Sequence, residues 1–389
     1  MNPLRQKIEH EIRVRGPISF SRYMELCLYD SEFGYYARHA EQFGKAGDFY
    51  TSSDVHAVFG RLMARQFEEM WRVLGSPQRI DLIELGPGRG LFAQDVLDWS
   101  EKKFPEFCHA LRYVLVESSP ALRTRIEVIL SRHLESGKAA LVSAFPQSRP
   151  GSSKIVFANE FFDALPVEII STRGSLRLEL RADHLVETWA KSSAEEMGFL
   201  DRYSVHPEPG ERLEVPLAAQ SYMEQVAVGI ERGFVILIDY GYTREEQLAG
   251  RHRGTLKAIR RHSVGGNPYE APGEQDITAD VNFTALTAVA EKRGMTAQKL
   301  ITQSQFLMGI GEGNQFADAF EECHLPQERA KVALQLKHLV TPAGMGESFH
   351  VLVGSKGIEA EKVSGLAGLS FGRSDLHRSF GGHRTPASG

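Results

Sequence analysis

The segment Glu84-Leu85-Gly86-Pro87-Gly88-Arg89-Gly90 stands between an apolar run, Ile80 to Leu85, and a stretch with helical periodicity, Leu91 to Trp99. Three glycines at a strand-to-helix junction constrain the fold strongly. Without a Cβ, glycine takes positive φ, turns tightly and lets a ligand approach the main-chain amides. Such a corner belongs to an α/β sheet whose ligand sits beyond the carboxyl ends of the strands. The spacing is Gly-x-Gly-x-Gly. Dinucleotide folds use Gly-x-Gly-x-x-Gly, so a nicotinamide-dependent dehydrogenase is the weaker reading.

The rest of the middle of the chain supports a doubly covered parallel sheet. Tyr113-Val114-Leu115-Val116-Glu117, Ala140-Leu141-Val142, Ile155-Val156-Phe157-Ala158 and Phe234 to Asp239 are short apolar strands, and helical segments lie between the first of them. Between about residues 165 and 216, alternating segments such as Leu176-Arg177-Leu178-Glu179-Leu180 predict an antiparallel β insertion. Leu4, Ile8 and Ile12, then Ser19 ahead of Tyr23 and Met24, then Val55 to Met70, predict a helical cap over residues 1–75. The core is expected over 76–355. From 356 to 389 the chain is rich in Gly and Ser, and a disordered tail is expected there.

Glu84, two positions ahead of Gly86, and Glu117, ending the next strand, sharpen the loop's meaning. A carboxylate at the end of that second strand can accept hydrogen bonds from both hydroxyls of a ribose. Together with Gly86, Gly88 and Gly90 they point to S-adenosylmethionine, a nucleoside cofactor without pyrophosphate, and hence to a methyltransferase. The bland alternatives are a strand-to-helix turn that merely needs glycine and a Glu117 that serves as a helix N-terminal charge.

Composition narrows the class. The 389 residues carry a net charge of -5 with 42% hydrophobic and 24% charged residues, which excludes a broadly basic nucleic-acid-binding surface. The short basic run Arg251 to His262 is expected to be a solvated face, or a contact for an acidic partner or a phosphate. Cys27, Cys108 and Cys323 are few and far apart, so a disulfide framework is not expected, and a cytoplasmic, reducing setting fits. The N-terminal residues have no apolar core of a secretory signal, and the apolar stretch at 234–238 is too short to span a bilayer. No histidine cluster has metal-ligand spacing, so no metal is expected.

Ala158-Asn159-Glu160-Phe161-Phe162-Asp163-Ala164-Leu165-Pro166 follows the fourth strand and so borders the reactive end of the cofactor. Two carboxylates and an amide are costly to hold in a partly buried place without partners. Asn159 is assigned to the cofactor, and Glu160 and Asp163 to catalysis; the alternative is a helix start capped by Asn159 with the two phenylalanines in the core. Three further segments are candidates. Gly44 to Ser53 suits a lid, Asp239-Tyr240-Gly241-Tyr242 ends a strand on the same rim, and Asp276, Thr278 and Asp280 either cap the following helix or help position a substrate.

Five co-linear motifs, Gly47-Asp48-Phe49-Tyr50-Thr51-Ser52, Glu84 to Gly90, Ala158 to Pro166, Ile238-Asp239-Tyr240-Gly241 and Asp276-Ile277-Thr278-Ala279-Asp280-Val281, resemble the MidA family, as do Gly34-Tyr35-Tyr36 and Gly344-Met345-Gly346. The resemblance runs from about residue 15 to 355. It implies a class I methyltransferase with a Rossmann-like sheet, an added helical region and a β-rich insertion. It also implies cofactor contacts from Gly47, Asp48 and Thr51, although Tyr50, with Ser52-Ser53-Asp54 following, departs from the Thr-Ser-Pro-Glu common in the family. The mitochondrial branch acts in respiratory complex I assembly and methylates an arginine of a subunit. Protein arginine methylation is therefore the implied activity, with a protein substrate, a respiratory-complex subunit among the candidates. Methylation of a small molecule or another residue, and cofactor binding without turnover, are the alternatives. Arginine keeps its proton in free solution, so carboxylates must localise the guanidinium charge before one nitrogen can attack a methyl group. Glu160 and Asp163 are placed for that.

Overall fold

The computed structural model describes residues 2–38, 57–147, 151–182, 184–260, 263–264 and 267–371. Helix Pro3–Arg15 begins with Asn2 accepting from the Arg5 amide at 3.1 Å and with proline in the first turn, where a missing N–H costs nothing. The two-residue strand β1 (Ile18–Ser19) leads into helix Phe20–Tyr29, and Ser19 caps it as its position predicts, through the Arg22 amide at 3.1 Å. Helix Tyr35–Arg38 follows. Helix Ala57–Val73 then buries Phe59, Leu62, Met63, Phe67 and Met70, which pack with Leu82 and Phe157 of the central sheet.

β2 (Ile80–Leu85), β3 (Leu111–Val116), β4 (Ala139–Val142) and β5 (Ser153–Asn159) are the expected apolar strands. They run parallel in the spatial order β4-β3-β2-β5. The β insertion is present: β6 (Glu168–Ser171), β7 (Gly174–Arg181), β8 (His184–Ala190) and β9 (Leu213–Val215) pair antiparallel, and β1 joins them on β7. β10 (Arg232–Tyr242) returns to the central sheet parallel to β5. A small antiparallel sheet holds β11 (Lys257–Arg260), β12 (Ser263–Val264) and β13 (Asp276–Thr278). β14 (Val281–Asn282) flanks the end of β10, and β15 (Thr296–Ala297) and β16 (Ile301–Thr302) pair with β17 (Phe349–Lys356), which lies antiparallel against β10.

The sheet is covered on both sides. Helices Ala57–Val73, Leu91–Lys103 and Gln303–Glu312 contribute to the core on one face. Helices Leu217–Gly229 and Phe283–Lys292 contribute to the core on the other. Burial on both faces is why the strands are apolar without alternation. From β2 the chain proceeds to β3 and β4 on one side, then crosses to β5 and β10 on the other. The crevice between β2 and β5 is the topological switch point where such sheets bind ligands.

Two boundaries differ from the sequence expectation. The helical cap expected over 1–75 divides: Leu4, Ile8, Phe20 and Met24 share a core with Val167, Ile169, Leu176 and Leu178 of the β insertion, whereas 57–73 belongs to the central domain. Helical periodicity shows that a face is buried, not against what. The tail expected from 356 is ordered further on. Helix Ala360–Ser364 and the turn Ala367–Leu369 bury Val363 and Leu366. The Ala367 amide donates to Glu69 and the Gly368 amide to Gln66 Oε1 at 2.9 Å. Two apolar residues and two acceptors far away in sequence leave almost no local signal.

Candidate active site

A cavity of about 620 Å³ lies at the carboxyl ends of β2, β3, β5 and β10. The glycine turn forms one wall. Gly86, Gly88 and Gly90 have φ of 62°, 54° and 82°, a region open to glycine. A Cβ on Gly86 would stand 2.7 Å from Cδ2 of Phe161, so close approach as well as φ demands glycine there. Glu84 is buried behind this turn, where the Tyr113 hydroxyl donates to its Oε2 at 2.7 Å. Burial pushes its carboxyl up to about 8.

Glu117 leaves the end of β3 and lines the cavity. Its Oε1 accepts from the Ser119 amide at 2.7 Å, and burial pushes the group up to about 7 against that pull. Helix Pro120–Ile129 has its own cap, Ser119, whose Oγ accepts from Leu122 N. The helix is thus capped without Glu117, which stands two residues ahead of that cap. A carboxylate removed from water at a cavity wall has the donor chemistry of a ribose diol as its natural compensation.

The turn after β5 carries the acidic residues. Glu160 is a non-glycine residue at φ 53°, with its amide donating to Ile238 O at 2.9 Å. Asn159 Nδ2 donates to Glu160 Oε1 at 3.1 Å, which ties the two side chains together on the rim. Asp163 is buried, and the Tyr240 hydroxyl donates to its Oδ2. Its Oδ1 is buried and has no hydrogen-bond partner among the described residues. Burial pushes Asp163 up to about 6, against the Tyr240 hydrogen bond. Asp239, the neighbour of Tyr240 on β10, is driven well above the usual carboxylate range by burial and then by Asp163 and Glu160.

Several cavity residues were weakly marked in the sequence. Tyr29 and Tyr36 come from the N-terminal segment, Tyr222 from helix Leu217–Gly229, and Asp276 and Thr278 from β13. The Tyr36 hydroxyl donates to Asp276 Oδ1 at 3.2 Å, and Tyr29 donates to Ala164 O at 3.0 Å. Tyr222 packs edge-on against Phe161, with centroids 5.0 Å apart. Nothing in the periodicity of its helix distinguishes it. Phe161 lines the cavity, while Phe162 is core.

The two uses left open for Asp276, Thr278 and Asp280 separate. The cap of helix Phe283–Lys292 is Asn282, through Ala285 N at 3.0 Å. Asp276 and Thr278 face the cavity, and Asp280 pairs with Lys257 at 2.8 Å and His252 at 3.1 Å. In the basic run, Arg253 pairs with Glu211 at 2.8 Å and Arg260 with Glu274 at 2.6 Å, so these charges are satisfied within the fold. Gly47, Asp48 and Thr51 lie outside the described residues.

Residues 62–301 match the family described as "putative S-adenosyl-L-methionine-dependent methyltransferase". The chain belongs to that family. It is 30% identical to the mitochondrial protein arginine methyltransferase NDUFAF7 homolog of Drosophila melanogaster, covering 92% of this chain and 86% of that protein. The human protein arginine methyltransferase NDUFAF7, also mitochondrial, is 26% identical over 90% of this chain and 82% of its own. A solved structure from Burkholderia thailandensis, bound to S-adenosyl-homocysteine, superposes with a TM-score of 0.79 at 26% identity over 94% of both chains.

The cavity of this S-adenosylmethionine-dependent methyltransferase fits its cofactor on chemical grounds. The buried Glu117 carboxylate, the positive-φ glycine turn and the polar Asn159 line the cavity at the switch point of the sheet. Carboxylate and phenol groups of Asp163, Asp276, Tyr29, Tyr36 and Tyr240 line the same cavity. The expected sheet, activity and cofactor stand together here. Among the described residues no helix is long and apolar enough to cross a membrane.

Proposed function

We propose that this methyltransferase transfers a methyl group to a guanidino nitrogen of an arginine in a protein. The observation that carries the reading is the composition of the acceptor end: Asp163 and Asp276 beside the rings of Tyr29, Tyr36 and Tyr240, with Glu160 on the rim. Carboxylates accept the forked N–H donors of a guanidinium, and tyrosine faces attract its delocalised charge. Oδ1 of Asp163, without a hydrogen-bond partner among the described residues, is a buried acceptor that an arginine N–H would satisfy. The name shared by the Drosophila and human relatives supports the same acceptor.

The cofactor supplies an electrophilic methyl on a sulfonium. This chain's residues supply the rest. Glu117 accepts from the ribose hydroxyls, Gly86, Gly88 and Gly90 leave room for the adenosyl and amino-acid parts, and Asn159 and Glu84 complete that side. Gly47, Asp48 and Thr51 join them by resemblance. Glu160 and Asp163 hold the guanidinium so that charge is drawn to the nitrogens they bond and one nitrogen keeps its lone pair. Alignment is the main rate term, and a carboxylate then accepts the proton released. We further propose a respiratory-complex subunit as acceptor, on the family resemblance. A cytoplasmic setting is proposed from the three free cysteines, with the mitochondrial names of the relatives pointing to the other compartment.

The test uses tritiated S-adenosylmethionine, purified enzyme and lysate from a strain lacking the gene, followed by acid hydrolysis and amino-acid chromatography. Label is expected in methylarginine. Glu160→Gln is expected to keep cofactor binding while losing at least ~100-fold in transfer, the scale of one electrostatic contact in a transition state. Label in methyl-lysine or only in a small-molecule fraction, or full turnover by the variant, refutes the reading.

A further inference from the structure

Glu160 and Asp163 sit on a turn, and a turn holds a side chain to a few tenths of an ångström only if something fixes its backbone. Asp239 is placed to do this. It is 2% exposed, near the end of β10. Its Oδ2 accepts from three successive amides of the turn, Phe161 N at 3.2 Å, Phe162 N at 3.0 Å and Asp163 N at 3.3 Å. Its Oδ1 accepts from Tyr240 N at 3.0 Å. Three consecutive N–H groups wrapped around one oxygen form a concave anion nest, here filled by a side chain of the protein itself. The arrangement begins directly after Glu160, which holds the left-handed conformation at φ 53°. Such a conformation persists in a non-glycine residue only where its surroundings over-determine it.

The next residue on the same strand holds the other end of the turn. Tyr240 donates its hydroxyl to Asp163 Oδ2. Tyr240 is itself kept in place by Phe349, edge-on at 5.6 Å between centroids, and by Lys257 Nζ, 4.8 Å from its ring centre. Two adjacent residues of β10 therefore control backbone and side chain of the neighbouring acidic turn.

We infer that Asp239 is a positioning residue for methyl transfer: through the amides of Phe161, Phe162 and Asp163 it sets where Glu160 and Asp163 present their carboxylates to the acceptor. This rests on the acceptor role assigned above to those two residues. Asp239 faces backbone, not acceptor, and so contributes geometry.

Asp239→Asn is the informative change, because it keeps the shape. An asparagine has one oxygen and one NH2 group. With the NH2 toward the turn all three amides lose their acceptor; with the oxygen there, Tyr240 N faces the NH2 and the side chain is pushed off the position from which one oxygen reaches all three. Full-length Asp239→Asn is compared with wild type in three readouts. Deuterium exchange at the amides of 161–163 is expected to quicken at least ~10-fold, with the glycine turn at 86–90 unchanged. Affinity for S-adenosyl-homocysteine is expected to stay within ~3-fold by calorimetry. Transfer from tritiated S-adenosylmethionine to lysate protein, at saturating cofactor, is expected to fall ~100-fold, the scale of losing alignment by about an ångström.

Glu214→Gln is the matched control. Glu214 is also a buried carboxylate that fastens backbone, through Thr255 N at 3.0 Å and Leu256 N at 3.1 Å, and it does not line the cavity described above. It is expected to lower the melting temperature while leaving transfer by the folded enzyme unchanged. Unchanged exchange at 161–163, unchanged transfer, or loss of S-adenosyl-homocysteine binding in Asp239→Asn would each overturn the inference. If wild type itself labels no protein, the arginine reading fails, and the exchange measurement still decides what Asp239 holds.

Discussion

Replacing Glu84 by Gln isolates the most costly carboxyl at the glycine turn. Glu84 is 5% exposed, and its ordinary value of 4.5 is raised to about 8 by burial, with the Tyr113 hydroxyl opposing that rise. Below pH 4.5 the carboxyl is protonated folded and unfolded, and it adds no pH dependence. Between there and the folded value, the unfolded chain has released its proton and the folded chain has not. The unfolded state then binds fewer protons, so stability falls as pH rises, by up to ~1.4 kcal/mol per pH unit. Across the whole interval this sums to ~5 kcal/mol, and to roughly 3–5 kcal/mol once local relaxation and water entry are allowed for.

Glutamine has the same shape, its amide oxygen accepts from Tyr113, and it does not ionise. Urea unfolding followed by tryptophan fluorescence, without cofactor, measures both proteins at about pH 5 and about pH 8.5. The stability of Glu84→Gln relative to wild type is expected to rise by roughly 2–4 kcal/mol from the lower to the higher pH, because part of the ~5 kcal/mol is already lost at pH 5. Glu117 and Asp163 also titrate in this range, but they are common to both proteins and cancel in the difference. Parallel pH dependences, agreeing within ~1 kcal/mol, would refute the claim that Glu84 is held protonated by burial.

Glu117→Gln is expected to weaken S-adenosylmethionine binding by ~10–100-fold by calorimetry, since hydrogen bonds to a charged group are worth ~1.5–3 kcal/mol. Gly86→Ala is expected to cost ~1–3 kcal/mol in a denaturant melt and to reduce cofactor affinity, because it combines a φ of 62° with a Cβ 2.7 Å from Phe161. Methyl transfer by wild type is expected to rise with pH as Asp163 loses its proton, with a midpoint near its value of about 6. That acidic limb should be absent from the residual activity of Asp163→Asn, and a rate independent of pH there in wild type would count against Asp163 holding the acceptor's charge.

Much of this protein was legible in its sequence, and the reason is locality. The glycine turn, the apolar runs that became β2, β3, β5 and β10, and the alternating segment that became β7 each state their conformation within about ten residues. The same holds for Ser19 as a cap and for the Asn159–Asp163 segment at the end of its strand. Where sequence failed, the deciding partner was distant. Helical periodicity at Leu4, Ile8 and Ile12 showed a buried face, yet the β insertion some 160 residues away supplies what covers it. The ordered stretch from 360 to 369 depends on Gln66 and Glu69, about 300 residues earlier.

The site divides along the same line. Sequence determined the sheet type, the cofactor class and the placement of Glu84, Glu117, Glu160 and Asp163 at strand ends, because fixed spacing there dictates backbone shape and what lies beyond it. Tertiary structure alone decided which groups share the cavity. Tyr36 meets Asp276 across 240 positions, and Tyr240 meets Asp163 across 77. The same Asp239 that ends a strand in the sequence becomes, in space, the acceptor for three amides of another strand's turn. Such a contact depends on the parallel register of β5 and β10, in which Ile238 lies beside Asn159. Register is set by the packing of whole faces, not by any short run of residues.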